Sequence, residues 1–490
     1  MITLPKLSRE TVDQVSSTVP IPNYLTEHIP ASIVHFGVGA FHRAHQAMYL
    51  DRLLNAGERE WGICGVGVLP FDLPIRDALD HQDNLYTLVT KDTDEVSQAA
   101  VIGSIVEYLY APDDPQAVVD KLADLSTRIV SLTITEGGYS INDATGEFDP
   151  RDPLTLADIG SKTTPRSVLG LIVAGLARRR AADEQPFTVM SCDNIQGNGA
   201  FAKKAVVEFA RRKDTGLATW IEEYVAFPNS MVDRITPVTT DETRASIQAE
   251  FGIDDEFPVL SEAFEQWVLE DRFTLGRPAL ETVGVQVVGD VEPYELMKLR
   301  LLNASHQAIA FTGILAGETY VHEVCRRPVF SDFLLGYMRN EAIPTLLPVP
   351  GVDLDDYCQQ LISRFSSQAI LDTLARLAVD ASDRIPKFLL PVVQNQLSND
   401  RETRHSSLVL AAWCTYLETH AGQDDPTPIV DKRRDGLAAA VALEQRAPGS
   451  FLDYADVFGN LGENDQLRQE FIGWRERIAN VGIVEAISTI

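Results

Sequence analysis

The chain has 490 residues, of which 45% are hydrophobic and 23% are charged. This is the composition of a globular protein, and the length allows two or three domains. The formal net charge of −29 argues against nucleic acid and anionic membranes as partners, because phosphate binding requires a basic surface. The absence of a long apolar run and of a secretory signal pattern predicts a cytoplasmic protein. Five scattered cysteines form no C-x-x-C pair and are predicted to be buried free thiols.

The first half of the chain alternates strand-like and helix-like patterns. The short β-rich runs occupy residues 32–39, 61–68, 129–135 and 187–194. Helical patterns stand between several of them, at 116–125, 166–181 and 199–212. Such alternation predicts a parallel sheet with helices on both faces.

From Pro293 onward the pattern is mostly helical. Proline suits the first position of a helix, so the Glu292-Pro293 pair is typical of a helix start. We place the domain boundary near residue 288, which predicts a nucleotide-binding domain over 1–288 and a mostly helical domain over 289–490. An active site is expected in the cleft between two such domains.

The segment HFGVGAFHRAHQ (residues 35–46) carries a partial nucleotide-binding motif. Gly37 and Gly39 have the spacing of G-x-G-x-x-G, but His42 stands where the third glycine belongs. In the nucleotide interpretation, Gly37 allows a tight turn and Gly39 lets the backbone approach a pyrophosphate. A helix is expected to follow from Phe41.

Two other interpretations of this segment are open. His42 and His45 are three residues apart, with His35 nearby, and could share a metal ion, although no acid or cysteine stands close. They could also be ordinary polar helix residues. Arg43 would lie unfavourably in the first turn of a helix, and a neighbouring anion would explain it. That argument favours the nucleotide.

Polar residues follow the other β-rich runs. Asp72 comes shortly after the second run and could bind the adenosine ribose, or it could cap the following helix. Glu136 and Asn194 follow the third and fourth runs, where the carboxyl ends of parallel strands face a ligand crevice. Asp193 could equally be a turn residue.

The sharpest pattern is PYELMKLRLLNASH, residues 293–306. In an α-helix, Glu295 and His306 would lie about 60° and 80° from Lys298, and Asn303 about 140°, on one side of an apolar helix. Apolar neighbours should lower the pKa of Lys298, which could then act as a general base. Asn303 could donate to a developing alkoxide and His306 could orient a hydroxyl. The alternative is an exposed lysine at a helix edge.

Together these segments resemble the polyol-specific long-chain dehydrogenases/reductases over nearly the whole chain. The family signature K-x-x-x-x-N-x-x-H is present as Lys298, Asn303 and His306. Other matching segments are WGICGVG, RIVSLTITEGGY, FTVMSCDN, FPNSMVDRITP, QWVLED and DRIPKF. The resemblance implies a Rossmann-type, doubly wound α/β N-terminal domain and a mostly α-helical C-terminal domain.

The resemblance also implies a metal-independent reaction in which NAD reversibly oxidises D-mannitol to D-fructose, in a monomer. Lys298 would be the general acid/base, with Glu295 beside it as a proton path. Asn194 and Asn303 would hold the reacting oxygen, and His306 would position substrate and lysine. The implied substrate-binding residues are Asp233, Arg376 and Arg384. The implied cofactor-binding residues are Gly37, Val38, Gly39, Ala40, Phe41, His42, Arg43, Asp72 and Glu136.

One departure concerns the cofactor. Phe71 precedes the single acid Asp72, where relatives that favour NAD often carry two acids. One acid still disfavours a 2′-phosphate, so NAD is predicted, with some use of NADP. The alternative activities are D-arabinitol 4-dehydrogenase and fructuronate or tagaturonate reductase. A more remote alternative is a Rossmann protein that senses a nucleotide without catalysis. The intact set of Lys298, Asn303 and His306 argues against it.

Overall fold

The computed structural model describes residues 4–15, 19–92, 97–142, 145–369, 371–421 and 428–490. Within these residues the chain forms two compact units, which divide between Glu292 and Pro293. None of the helices in the described part of the chain combines the length and apolarity that a membrane span requires.

The N-terminal unit contains the strands of the molecule and nine of its α-helices among the described residues. The strands are β1 (Ala31–Phe36), β2 (Gly62–Gly67), β3 (Tyr86–Lys91), β4 (Ser97–Ile102), β5 (Ile105–Tyr110), β6 (Ile129–Leu132), β7 (Thr188–Ser191), β8 (Ser230–Asp233), β9 (Val259–Glu262), β10 (Gln266–Glu270) and β11 (Gln286–Val288). The helices are α1 (Ala40–Arg43), α2 (Gln46–Asn55), α3 (Leu73–His81), α4 (Pro115–Ala123), α5 (Pro153–Gly160), α6 (Val168–Ala181), α7 (Asn198–Lys213), α8 (Thr215–Tyr224) and α9 (Asp241–Phe251).

The main sheet has five parallel strands in the order β5-β2-β1-β6-β7. Helices cover both of its faces, because one apolar cluster packs α4, α6, α7 and α8 against the sheet and a second packs α2 and α3. This confirms the predicted Rossmann-type fold. Strand order reverses at β1, whose neighbours are β2 on one side and β6 on the other. In such sheets the ligand crevice lies at the carboxyl ends of the strands, at this switch point.

Two small sheets complete the unit, in the orders β4-β3-β9 and β11-β10-β8. The sequence patterns predict neither sheet. Partners such as β3 and β9 are far apart in the chain, with Leu88 paired to Val259. Pairing over such separations depends on the folded backbone and leaves no local periodicity to detect.

The helix expected to run on from Phe41 is interrupted. The first segment, α1, ends at Arg43, and α2 begins at Gln46. His45 between them has φ −129° and ψ −97°, outside the helical region. Its buried ring lies 4.8 Å from that of Trp267 and 5.6 Å from that of Phe41. The helix is therefore broken at His45, whose ring packs against aromatic side chains inside the unit.

The C-terminal unit consists mostly of helices in its described residues, with one isolated β-bridge between Tyr320 and Thr373. Its α-helices are α10 (Glu292–Met297), α11 (Ala304–Leu315), α12 (Val321–Cys325), α13 (Pro328–Gly336), α14 (Leu354–Phe365), α15 (Leu374–Ala378), α16 (Ala381–Phe388), α17 (Leu390–Ser398), α18 (Arg404–Thr419), α19 (Arg434–Glu444), α20 (Ala455–Phe458), α21 (Asp465–Val481) and α22 (Ile483–Ile487). Two π-helical turns interrupt this series, the first at Lys298–Asn303 and the second at Tyr337–Ala342.

The core of this unit is built around α11 and α18, which pack against each other. Ten of the twelve residues of α11 and twelve of the sixteen of α18 are buried. A helix that is apolar on all sides belongs in a protein interior, and the ring of Phe311 accordingly lies 6.2 Å from that of Trp413. The helix that carries His306 is thus held rigidly by its surroundings. All five cysteines of the chain are buried free thiols, as predicted.

Candidate active site

A cavity of about 690 Å³ opens at the carboxyl ends of β1, β2 and β6. Its volume lies in the range of cofactor pockets. The predicted cofactor residues that line it are Gly37, Val38, Gly39, Ala40, Arg43 and Asp72. Phe41, His42 and Glu136 do not line it. Two exposed apolar side chains, Phe71 and Val238, stand at its wall.

The two glycines of the turn meet different constraints. Gly37 has φ +93°, and a Cβ there would lie 2.1 Å from the carbonyl oxygen of Thr133. Gly39 has an extended backbone, and the nearest atom to an added Cβ is the Gly37 oxygen at 3.9 Å. The surrounding protein therefore leaves no room for a side chain at position 37, whereas position 39 has space for one. Open space over the Gly39 backbone fits close approach by a ligand phosphate.

His42, at the third glycine position, packs beneath the turn. Its ring stacks on that of His35, with centroids 3.5 Å apart and planes 11° apart, and both are buried. His35 also lies 3.0 Å from the Thr133 hydroxyl through Nε2 and 2.8 Å from the Ser131 hydroxyl through Nδ1. Burial lowers the pKa of His35 to about 3 and that of His42 well below its ordinary value. The pair is a neutral packing element that ties the turn to β6.

No group of three His, Cys, Asp or Glu side chains in the described part of the chain is placed to hold a metal ion. His42 lies in the short helix α1 and is buried, with its ring stacked on that of His35.

The buried histidines should make the protein sensitive to acid. Below about pH 6.5 the unfolded chain binds protons that native His35 and His42 do not, so stability falls as the pH drops from 6.5 toward 3. The variant His42→Phe keeps an aromatic ring but removes one such site. As the pH falls below 6.5, we expect the unfolding free energy of His42→Phe to decrease less steeply than that of wild type, by up to about 1.4 kcal/mol per pH unit.

Urea unfolding at pH 7, 6 and 5 measures this difference. Burial raises the pKa of Asp51 to about 6, so protonation of Asp51 stabilises the native state as the pH falls. This effect is the same in wild type and in His42→Phe, and it cancels when their pH slopes are compared. His81→Phe, at a side chain that is 61% exposed, is the matched control. Identical pH slopes for His42→Phe and wild type would contradict the prediction.

Arg43 provides a buried positive group at the cavity. It is 1% exposed, and it lies over the rings of Phe257 and Tyr86. Its Nη1 donates to the Phe257 carbonyl, whereas its Nη2 is buried without a hydrogen-bond partner. An unmatched guanidinium nitrogen at the wall of a cavity favours an anionic ligand there, because burying an unpaired donor is costly.

Asp72 is oriented by the end of β2. Its Oδ2 accepts hydrogen bonds from the backbone N–H groups of Val68 and Leu69, both at 2.8 Å. It makes no capping bond to α3 itself, but its bond to the Leu69 N–H is part of a capping box on the 3₁₀ turn Pro70–Asp72, which runs directly into α3. Both donations go to one oxygen of a carboxylate at the cavity wall. This arrangement suits a carboxylate that accepts hydrogen bonds from ribose hydroxyls.

The loop after β6 is held by Asp193. This half-buried carboxylate accepts from the N–H groups of Ile134 and Thr135 at 3.1 and 2.9 Å and from the Tyr139 hydroxyl at 2.7 Å. Burial raises its pKa. Thr135 has φ +60°, a strained conformation that such bonds maintain, and it lines the cavity. Asp193 is therefore a residue that shapes the loop, and Glu136 follows Thr135 in it.

The sequence analysis does not predict part of the cavity wall. These lining residues come from α5, α6 and their flanks: Asp152, Leu154, Thr155, Ser167 and Val168. Asp152 and Ser167 bond the first N–H groups of their helices, so their local pattern indicates only helix starts.

Asn194 and Asp233 follow or end neighbouring strands of the N-terminal unit. Asn194 is exposed three residues after β7, and Asp233 is the buried last residue of β8. The Asn198 side-chain amide donates to the carbonyls of both Asp193 and Ser230, at 3.0 and 2.7 Å. The two segments that carry Asn194 and Asp233 are thus fastened together.

In the C-terminal unit, Lys298 begins the first π-helical turn. It is only 7% exposed, which rules out the exposed-lysine alternative, and Glu295 is 6% exposed. The Ala304 N–H donates to the Leu299 carbonyl, five residues back. The prediction of an unbroken α-helix is therefore wrong. A π-helical turn is wider than an α-helical one, so the positions of Lys298 and Asn303, five residues apart, lie closer together around the helix axis than the roughly 140° that an α-helix would give.

The remaining predicted residues of this unit lie on helices around that turn. His306, in the first turn of α11, is half-buried, and its ring lies 4.9 Å from that of Phe365. Arg384 is on α16, which packs against the π-helical turn, and its Nη1 donates to the Leu377 carbonyl at 3.1 Å. Arg376 is on α15, which packs against α11, and its Nε donates to Asp372 at 2.6 Å.

A doubly wound unit with a cofactor-sized crevice, joined in sequence to a helical unit with a buried lysine, defines a nucleotide-dependent dehydrogenase. The sequence matches the family profiles described as "Mannitol dehydrogenase Rossmann domain" over residues 31–282 and "Mannitol dehydrogenase C-terminal domain" over 290–479. The mannitol 2-dehydrogenase of Phaeosphaeria nodorum is 46% identical over 459 residues, which are 93% of this chain and 80% of that protein. The chain belongs to the mannitol dehydrogenase family.

Two solved structures are similar over essentially their whole length. The Pseudomonas fluorescens mannitol 2-dehydrogenase in ternary complex with NAD and D-mannitol is 42% identical, with a TM-score of 0.89 and 99% of each chain covered. A D-sorbitol dehydrogenase in substrate-free form is 38% identical, with a TM-score of 0.89, and the match covers 98% of this chain and 100% of that one. These findings confirm the resemblance drawn from the sequence motifs.

Proposed function

We propose that the protein is an NAD-dependent mannitol 2-dehydrogenase, which interconverts D-mannitol and D-fructose without a metal ion. The observation that carries the proposal is the buried Lys298 in a π-helical turn with Asn303, in a chain 42% identical to a protein solved with NAD and D-mannitol. The monomeric state and the cytoplasmic location stay predictions.

The N-terminal cavity fits NAD by three features. Gly39 leaves room for a phosphate, Arg43 has an unmatched buried nitrogen, and the Asp72 carboxylate is oriented by backbone N–H groups. These residues, with Gly37, Val38 and Ala40, would hold the dinucleotide. The chemistry that NAD supplies when bound is acceptance of a hydride from C2 of the polyol.

The protein's own residues handle the proton and the charge. We assign Lys298 as the general base that takes the proton from the C2 hydroxyl, and as the acid that returns it in the reverse direction. The side-chain amides of Asn194 and Asn303 donate to the reacting oxygen as negative charge develops on it. His306 positions the hydroxyl, and Glu295, buried one helical turn before Lys298, relays the proton.

The ion pair of Arg376 favours a polyol over a uronate as substrate. A uronate reductase needs a cation for the substrate carboxylate, and Arg376 and Arg384 were the candidates. Arg376 is bidentate to Asp372, so most of its charge is already matched. Arg384 bonds a backbone carbonyl. We assign the contacts to the polyol hydroxyls to these two guanidinium groups as donors and to the Asp233 carboxylate as acceptor.

A substrate panel with both cofactors tests the proposed function. The full-length protein is expected to consume NADH with D-fructose but not with fructuronate or tagaturonate, and to reduce NAD with D-mannitol faster than with D-sorbitol or D-arabinitol. The kcat/KM for NAD should exceed that for NADP, because the Asp72 carboxylate repels a 2′-phosphate. Faster turnover of fructuronate than of fructose, or a preference for NADP, would contradict the corresponding part of the proposal.

A further inference from the structure

The two π-helical turns of the C-terminal unit pack against each other. In the second turn the Ile343 N–H donates to the Met338 carbonyl, five residues back, as Ala304 does to Leu299 in the first. The side chain of Tyr337, the first residue of the second turn, is completely buried. Its hydroxyl donates to the Arg300 carbonyl in the first turn at 3.0 Å. Two rare helical irregularities are thus joined by one hydrogen bond.

A second connection fastens the same residue. The Nη1 of Arg300 donates to both the carbonyl and the hydroxyl oxygen of Thr345, the latter at 2.9 Å. The Thr345 hydroxyl in turn donates to the Ala342 carbonyl, the last residue of the second turn, at 2.7 Å. Both the backbone and the side chain of Arg300, two residues after Lys298, are therefore fixed by the second turn.

The second turn is itself anchored to the core of the unit. The carboxylate of Glu341, which is 1% exposed, accepts hydrogen bonds from the backbone N–H groups of His405 and Ser406 at 2.6 and 3.0 Å. These are among the first N–H groups of α18, the central buried helix. A buried carboxylate that is bonded in this way is costly to move. The second turn is a rigid support for the first.

Such a support has a physical reason. π-helical turns are rare and occur mostly at functional sites, and strained backbone persists where its surroundings over-determine it. Without outside bonds, the Lys298–Asn303 segment would gain by returning to regular α-helical bonding. That change would rotate Asn303 away from Lys298.

We propose that Tyr337 is a positioning residue for the reaction, whose hydroxyl holds the first π-helical turn in the form that keeps Lys298 and Asn303 on one face. This proposal rests on the proposed role of Lys298. Burial raises the pKa of Tyr337 well above its ordinary value, so the hydroxyl keeps its proton and donates throughout the working pH range.

The test is Tyr337→Phe in the full-length protein, which removes one oxygen. We expect kcat for mannitol oxidation to fall at least about tenfold at 25 °C, since misplacement of a reacting group by about 1 Å can cost 100-fold. The KM for mannitol and the Kd for NADH should stay within about twofold of wild type, because Asp233, Arg376, Arg384 and the cofactor cavity are untouched and Asn303 acts mainly on charge that develops in the transition state. Thr345→Val, which loosens the second connection, should lower kcat in the same direction but less.

The matched control is Tyr294→Phe. This tyrosine is 3% exposed in the same unit, and its hydroxyl also donates to a backbone carbonyl, that of Pro350 at 2.8 Å. Equal losses of kcat in the two variants, or a Tyr337→Phe enzyme with a lowered melting temperature and wild-type kcat, would overturn the positioning role. Lys298→Ala is assayed in parallel. If it is active, the proposed function of Lys298 fails; if it is inactive while Tyr337→Phe turns over normally, only the role of Tyr337 fails.

Discussion

Lys298→Ala is expected to lower kcat for mannitol oxidation by about 10²–10⁴-fold, the usual contribution of a general base, while NADH binding stays near the wild-type level. The amine is 7% exposed and begins the turn that also carries Asn303. The cavity assigned to the cofactor is lined by residues of the N-terminal unit, so the substitution leaves it intact. The loss should therefore appear in kcat and kcat/KM but not in the Kd for NADH.

Steady-state rates in both directions and a fluorescence titration with NADH measure these quantities. Lys432→Ala serves as the control, because Lys432 is a lysine of the same unit whose side chain is 64% exposed. It should leave kcat unchanged. Turnover of Lys298→Ala within about threefold of wild type would remove the general-base role, since such a role is worth at least about 100-fold.

Gly37→Ala is expected to destabilise the N-terminal unit by about 3 kcal/mol or more and to abolish NADH binding. The glycine has φ +93°, which strains any other residue, and the new Cβ would lie 2.1 Å from the Thr133 carbonyl oxygen. The turn would have to move away from β6, and Gly39, Val38 and Ala40 would move with it. Thermal unfolding and an NADH titration measure the two effects.

Gly39→Ala is the matched control, two residues away and with the same added methyl group. Its backbone is extended and the nearest protein atom to the new Cβ is 3.9 Å away, so the melting temperature should stay close to wild type. The methyl group would instead meet the ligand and weaken NADH binding. A stable Gly37→Ala protein, or a Gly39→Ala protein that binds NADH as wild type does, would show that the turn is not constrained as described.

The main sheet and the location of the crevice could be predicted from sequence because their signals are local. Every residue of β1, β2, β6 and β7 is buried. In the sequence such strands are short apolar runs, which differ clearly from the pattern of the helices between them. The parallel order follows from alternation of strands and helices. The glycine spacing and the Lys298–Asn303–His306 spacing can likewise be read directly from the chain.

Other features depended on groups that are distant in sequence. The small sheet that pairs Leu88 with Val259 and the stacking of His42 on His35 have no periodic signature. The bonds of Asp72 to the N–H groups of Val68 and Leu69 are visible only in the folded backbone. The wall formed by Asp152 and Ser167 is visible only once α5 and α6 have packed against the sheet.

The first π-helical turn shows the difference between what local sequence patterns predict and what contacts between distant residues decide. The residues to which we assign the chemistry could be predicted from the sequence, because residue type and spacing can be read directly from the chain. The sequence by itself did not determine their arrangement, since an apolar run with Lys298 and Asn303 predicts an α-helix with the two side chains about 140° apart. Only the tertiary structure decided in favour of the wider turn, because the bonds that hold it come from Tyr337 and Thr345, well beyond the reach of local periodicity.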